Sequence, residues 1–159
     1  KVRPTTDQSK EALFNILNNR FNFNKINILD LFSGTGAISF EFSSRGAKTI
    51  YSVDKNYNSI KFIKSFSIKN NLNIKAIIAD IFKSKLQFDI QFHIIFADPP
   101  YSYKEEYYHK LISILRVKLD NSKGSLLILE HPETITFTKD KNVIEKRKYG
   151  GCSFTFFIL

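Results

Sequence analysis

Asp98-Pro99-Pro100-Tyr101 sets an acid, two ring-locked residues and a phenol directly after the apolar run His93-Ile94-Ile95-Phe96-Ala97. Adjacent prolines hold φ at about −65° and remove two backbone donors, so the chain must leave a strand there in one extended turn, its carbonyls available as acceptors. Open α/β sheets bind ligands at the carboxyl ends of their strands, where the Asp98 carboxylate and the Tyr101 ring would meet a bound molecule. A plain strand-ending turn carries the same sequence signature.

Gly34-Thr35-Gly36 is a second candidate. Glycine at a strand-to-helix turn tolerates positive φ and lets the backbone approach a ligand, although a purely structural turn has the same need. The third glycine of a G-x-G-x-x-G dinucleotide fingerprint is replaced by Ser39, and no lysine follows as in a phosphate loop. A pyrophosphate is therefore disfavoured. Asp54 lies 18 residues beyond Gly36, near the spacing of about 20 at which an acid accepts hydrogen bonds from ribose hydroxyls. Asp54 and Asp80 could equally cap the next segment of chain. A ribose without a pyrophosphate describes one nucleoside with a small charged tail, and S-adenosylmethionine fits.

Positioning these groups falls to alternating strands and helices. Thr5-Thr6-Asp7-Gln8 predicts a helix start, with Thr5 and Gln8 at capping-box spacing, and Ala12, Leu13, Ile16 and Leu17 form an apolar stripe that fades near Asn18. Buried strands are expected over 26–32, 48–53, 74–79, 93–97 and 125–130. Helices are expected over 37–45, 57–71 (Ile60, Ile63 and Phe66 inward) and 104–118, with 81–91 a connector. Residues 142–149 and 152–159 read as a hairpin turned at Gly150-Gly151. This alternation predicts an α/β fold, a mostly parallel seven-stranded sheet with helices on both faces and the C-terminal hairpin as an antiparallel edge. One rim would then carry Ser33 to Gly36, Asp54, Asp80 and Asp98.

A length of 159 residues predicts a single domain, residues 1–24 forming an N-terminal motif and helix and 25–159 a Rossmann-like core. Hydrophobic residues at 43% and charged residues at 25% are globular values, and no apolar run reaches the roughly 20 residues of a membrane span. Cys152 is the single cysteine, which excludes an intrachain disulfide framework or cysteine-rich metal site and leads to the expectation of a reducing cytoplasm. It reads as buried strand filler. The net charge of +9 and a pI near 9.6 point to a polyanionic partner such as nucleic acid. Lys1 as first residue and the lack of methionine imply a trimmed chain, in which no signal peptide is visible.

Arg3-Pro4-Thr5-Thr6-Asp7, Glu11 to Leu17, Leu29-Asp30-Leu31-Phe32-Ser33-Gly34-Thr35-Gly36-Ala37, Ser44-Arg45-Gly46-Ala47 and Asp98-Pro99-Pro100-Tyr101, in that order, resemble the RsmD family. The resemblance implies a class I methyltransferase fold and methyl transfer from S-adenosylmethionine to the 2-amino group of a guanine in small-subunit (16S) ribosomal RNA. By the same resemblance Asp30, Phe32, Ser33, Gly34, Thr35, Gly36 and Ala37 cradle the methionine part, Asp54 holds the ribose, Lys55 lies beside the adenosine, and Asp80 and Ile81 flank the adenine. A cytoplasmic monomer without a metal is expected, acting on ribosomal RNA within a small subunit or its assembly intermediate. The family usually carries a basic, glycine-containing segment before the Arg-Pro-Thr motif, whereas this chain begins at Lys1. Phe40 and Phe42 stand where smaller residues are common, and are expected to fill the core.

An exocyclic amine is a poor nucleophile because its lone pair is delocalised into the ring. Asp98 and the Pro99 carbonyl would accept its two hydrogens and localise that pair, Pro100 would keep the turn rigid, and Tyr101 would stack on the flipped-out base. Arg3, Thr5, Lys83, Lys85 and Lys104 are candidate RNA contacts, with solvated surface lysine as the plain alternative. The same motif serves adenine-N6 methylation of DNA or RNA and, with asparagine first, glutamine-N5 methylation of protein. No insertion is long enough for a DNA target-recognition region, and Asp98 counts against the glutamine enzymes. A non-catalytic RNA-binding module of the same fold is a further alternative, disfavoured by the intact motif.

Overall fold

The computed structural model describes residues 6–119 and 123–159. Its strands are β1 (Asn27–Leu31), β2 (Thr49–Asp54), β3 (Ile74–Ile78), β4 (Ile94–Ala97), β5 (Leu126–Pro132), β6 (Val143–Tyr149) and β7 (Cys152–Ile158), and its α-helices are α1 (Asp7–Asn18), α2 (Ala37–Ser44), α3 (Tyr57–Lys69) and α4 (Glu105–Lys118). Among the described residues the strands form one sheet in the order β3-β2-β1-β4-β5-β7-β6. The first five are parallel, as expected, and β7 runs antiparallel to both its neighbours.

Near-continuous apolar runs suit strands covered on both faces. On one face Leu13 and Phe14 of α1, Phe42 of α2 and Ile63 of α3 pack over Ile28, Ile94 and Phe96. Tyr108, Leu111 and Leu115 of α4 cover Leu29, Ile95 and Leu127 on the other. Strand order reverses between β1 and β4, and beyond their ends the Asp98 N–H donates to the Leu31 carbonyl at 3.4 Å. The loops after β1 and β4 therefore diverge over a crevice at that point.

Four details differ from the expectations. The cap of α1 is Thr6, not Thr5: its Oγ1 accepts the Ser9 N–H at 3.2 Å, so the pairing begins one residue later than a Thr5–Gln8 box. Thr5, like Arg3, lies outside the described residues. In α1 the buried positions are Ser9, Leu13, Phe14 and Leu17, with Ala12 and Ile16 half-buried, because the stripe turns to bring Phe14 edge-on against Phe42 at 4.7 Å. In α3 the inward stripe is Ile60, Ile63 and Ser67. Phe66 falls on its flank, 40% exposed, and packs 4.8 Å from Phe40, so of the two α2 phenylalanines only Phe42 fills the core.

The hairpin forms the antiparallel edge of the sheet, as expected, with its second strand on the inside. β7 pairs with β5 from Leu126 to Pro132, and β6 lies outside it. Burial explains the order: Cys152 to Phe157 is buried at every position, Cys152 included, whereas β6 exposes Lys146, Arg147 and Lys148, charges that suit an edge. Arg20, just beyond α1, pairs with Glu145 and ties the helix end to that edge. Among the described residues no helix is long and apolar enough to cross a membrane.

Candidate active site

Asp30, near the end of β1, is 1% exposed, and burial pushes its carboxyl up to about 7 although hydrogen bonds from the Ser39 side chain and backbone oppose the shift. The Ser39 hydroxyl donates to Asp30 Oδ2 at 2.6 Å and is itself bonded to Ser52. Asp30 Oδ1 and Ser33 Oγ are buried with no hydrogen-bond partner among the described residues. Buried polar atoms are normally satisfied, so two orphans at one strand end mark a place for a ligand or water.

After β1 the chain curls sharply: Phe32, Gly34 and Gly36 have φ of 57°, 51° and 85°. A phenylalanine in that region is strained, as functional loops often are. The glycines serve different ends. A Cβ on Gly36 would lie 2.8 Å from Ile63 and 2.9 Å from Phe40, so packing demands glycine there. One on Gly34 would meet only the Phe32 carbonyl at 4.0 Å, which leaves open space beside the backbone.

Asp54 braces this turn. Its Oδ2 accepts the Gly34 N–H at 2.8 Å and its Oδ1 the Asn56 N–H at 2.8 Å, and each carboxylate oxygen keeps capacity for a second donor. Asp80 opens a turn, accepting the Phe82 N–H at Oδ1 (2.9 Å) and the Ser84 N–H at its carbonyl (2.8 Å). The capping alternative thus describes part of what both acids do. Phe32, Asp54, Lys55, Asp80, Ile81 and Tyr103 line a narrow cleft of about 20 Å³. Tyr103 was not anticipated; it stands edge-on to Phe32 at 6.3 Å and 6.0 Å from Phe82. Its only sequence signal is a second aromatic shortly after the proline pair.

Across the reversal, Asp98 and Tyr101 are half-buried, Pro99 is buried and Pro100 exposed. The Pro100 carbonyl accepts the Tyr103 N–H at 3.0 Å and the Tyr108 hydroxyl at 3.4 Å, which commits it to the turn. Burial, with the Asp98 and Glu130 carboxylates nearby, pushes the Tyr108 phenol up, so it stays a donor. Residues 30–37, 54, 55, 80, 81 and 98–101 therefore share one rim. Lys83 and Lys85 are exposed and line a separate depression with Leu86 and Leu115, and Lys104 is exposed beside the start of α4. Arg3 lies outside the described residues.

A narrow acid-lined cleft and an Asp-Pro-Pro-Tyr turn flank the strand reversal, and the sheet order is that of the Rossmann-like class I fold of S-adenosylmethionine-dependent methyltransferases. Within that class, the chain belongs to the RsmD-type methyltransferases: the family model described as conserved hypothetical protein 95 matches residues 1–158. The ribosomal RNA small subunit methyltransferase D of Buchnera aphidicola subsp. Baizongia pistaciae is 30% identical over 150 residues, covering 92% of this chain and 75% of the relative. An uncharacterized methylase of Rickettsia prowazekii is 29% identical over 205 residues, covering 94% and 86% respectively. Among solved structures, an RNA methyltransferase from Salinibacter ruber in complex with S-adenosyl-L-homocysteine shares the fold, with a TM-score of 0.74 at 13% identity over 98% of this chain and 93% of that one.

Proposed function

We propose that the protein methylates the exocyclic 2-amino group of a guanine in small-subunit (16S) ribosomal RNA, using S-adenosylmethionine. The observation that carries this reading is the rigid Asp98–Tyr101 turn standing on the same rim as the Asp54-braced glycine turn. The residues fit the cofactor: Asp30 Oδ1 and Ser33 Oγ are buried acceptors awaiting a donor, and space is open beside Gly34. Residues Asp30 to Ala37 would hold the methionine part, Asp54 the ribose hydroxyls, and Lys55, Asp80 and Ile81 the adenosine. When bound, the cofactor supplies a methyl group on a sulfonium, an electrophile that needs only an aligned lone pair.

The remaining work falls to the chain. Asp98 and the Pro99 carbonyl accept the two amine hydrogens, drawing the nitrogen towards tetrahedral geometry, and the Asp98 carboxylate takes the proton released. Pro99 and Pro100 keep these acceptors from relaxing, which is electrostatic preorganisation. Stacking of the extruded base on Tyr101 contributes roughly 1–3 kcal/mol. The charge of +9 suits a phosphate backbone, with Arg3, Thr5, Lys83, Lys85 and Lys104 as candidate contacts, and a small subunit or its assembly intermediate as partner. The Buchnera relative's name, a small-subunit ribosomal RNA methyltransferase, supports the same substrate.

The test incubates the protein and labelled S-adenosylmethionine with unmodified ribosomal RNA, partly assembled small subunits, DNA and release factor, then maps the labelled atom. Label on N2 of a 16S guanine is expected. Label confined to DNA or protein overturns the reading.

A further inference from the structure

β5 is apolar and buried from Leu126 to Leu129, and changes to an acid where it reaches the active-site rim. Leu129 is in register with Ala97 as the last pair of the two parallel strands, so Glu130 and Asp98 are each the next residue beyond that pair. Both carboxylates act on the Tyr108 phenol. Glu130 is 3% exposed to solvent, and it lines a cavity of about 330 Å³ with Tyr101, Ser9, Tyr149, Gly150 and Gly151. That volume lies within the range of small-molecule sites, roughly 300–1,000 Å³. The proposed stacking ring forms part of the cavity wall, and the cavity shares no lining residue with the cofactor cleft. Gly150 and Gly151 of the β6–β7 turn line it too, next to Lys148 and Tyr149.

We infer that Glu130 reads the target base, accepting the N1–H of a guanine seated in this cavity while Asp98 receives the neighbouring 2-amino group. The inference rests on the guanine-N2 reading above and deepens it. On the Watson–Crick edge of guanine N1–H is adjacent to the 2-amino group, so two carboxylates on adjacent strands match two adjacent donors. Adenine and 2-aminopurine present a lone pair at N1 instead. A carboxylate facing that lone pair makes no hydrogen bond and is repelled, which rejects them while leaving amine chemistry at Asp98 possible. Asp98 localises the nucleophile; Glu130 selects the ring that carries it.

The test compares guanine with 2-aminopurine at the methylated position of an RNA substrate, because 2-aminopurine keeps the 2-amino group and changes N1 from donor to acceptor. Wild type should prefer guanine by roughly 10–100-fold in kcat/KM, the discrimination of one good base-edge contact. Glu130→Gln, whose amide can donate to N1, should collapse that ratio towards one by slowing guanine and speeding 2-aminopurine. Its affinity for S-adenosylhomocysteine should match wild type. A variant that methylates guanine and keeps the wild-type ratio overturns the role of Glu130. A wild-type ratio near one overturns it without any variant. If wild type methylates no guanine N2 in any ribosomal RNA, it is the underlying reading that fails.

Discussion

Replacing Asp54 tests whether the nucleoside cleft depends on a carboxylate that holds the glycine turn. In the native turn Oδ2 and Oδ1 each accept a backbone N–H at 2.8 Å, from Gly34 and Asn56. Asparagine has one acceptor oxygen. The Gly34 bond is the more buried, so that oxygen should stay there, while the exposed Asn56 N–H turns to water. What remains at Gly34, and at the proposed ribose contact, is a neutral contact in place of a charge-assisted one about twice as strong. A loss of about 1 kcal/mol at each place predicts an Asp54→Asn affinity roughly 10–100-fold weaker for S-adenosylhomocysteine. Asp54→Ala strands the Gly34 N–H altogether, at about 1–3 kcal/mol of fold stability, which for a chain of this size lowers Tm by roughly 2–10 °C. Calorimetric titration and thermal melts on the three proteins measure both effects. An Asp54→Ala protein that binds within about threefold of wild type and melts with it would refute the reasoning, since threefold is only about 0.7 kcal/mol.

Asp98→Ala should leave S-adenosylhomocysteine affinity unchanged and lower kcat by about 10²–10³-fold, the usual loss for one preorganised polar contact; full turnover removes the acceptor role. Tyr101→Ala should raise KM for RNA by roughly 5–100-fold through lost stacking, and unchanged kinetics contradict it. Gly36→Ala should destabilise the fold by about 2–4 kcal/mol, combining left-handed backbone with a Cβ pressed into Ile63 and Phe40, whereas Gly34→Ala should cost about 1–2 kcal/mol and act mainly on cofactor affinity. Equal melting temperatures for the two variants would sink that distinction. Asp30 is raised to about 7 in the fold against an ordinary value of 3.8, so the folded chain holds a proton that the unfolded chain releases. Its contribution is fully present below about pH 4 and is lost as pH rises through about 7, a swing of about 4 kcal/mol. Denaturant unfolding of wild type and Asp30→Asn from about pH 4 to 8 should show the variant gaining on wild type as pH rises; parallel curves exclude the effect.

The motifs were legible because their chemistry is local. Two prolines after an apolar run stop a strand in any context, and glycines at 34 and 36 announce positive φ. Roles that arise from distant neighbours were not legible. Gly36 is required by Ile63, and Asp54 is bonded to Gly34 across a strand boundary. Tyr103 joins the cleft through a turn in which the Pro100 carbonyl accepts its N–H and through ring contacts with Phe32 and Phe82. Phe66 repeats the apolar type of Ile60 and Ile63 but misses their stripe by the mismatch between its spacing and the helical turn.

Composition and periodicity by themselves determined the α/β class, the parallel order of events along the chain and the family motifs, since each depends on residues close in sequence. Only the tertiary structure decided that β7 enters between β5 and β6, that Leu129 pairs with Ala97 just before Glu130 and Asp98, and that Tyr101 and Glu130 line one cavity. The reason is physical: strand neighbours are chosen by which faces must be buried together, a property of pairs of elements. The fully buried run at 152–157 could find cover on both sides only inside the sheet, and its place there carries the hairpin turn to the edge of the active site.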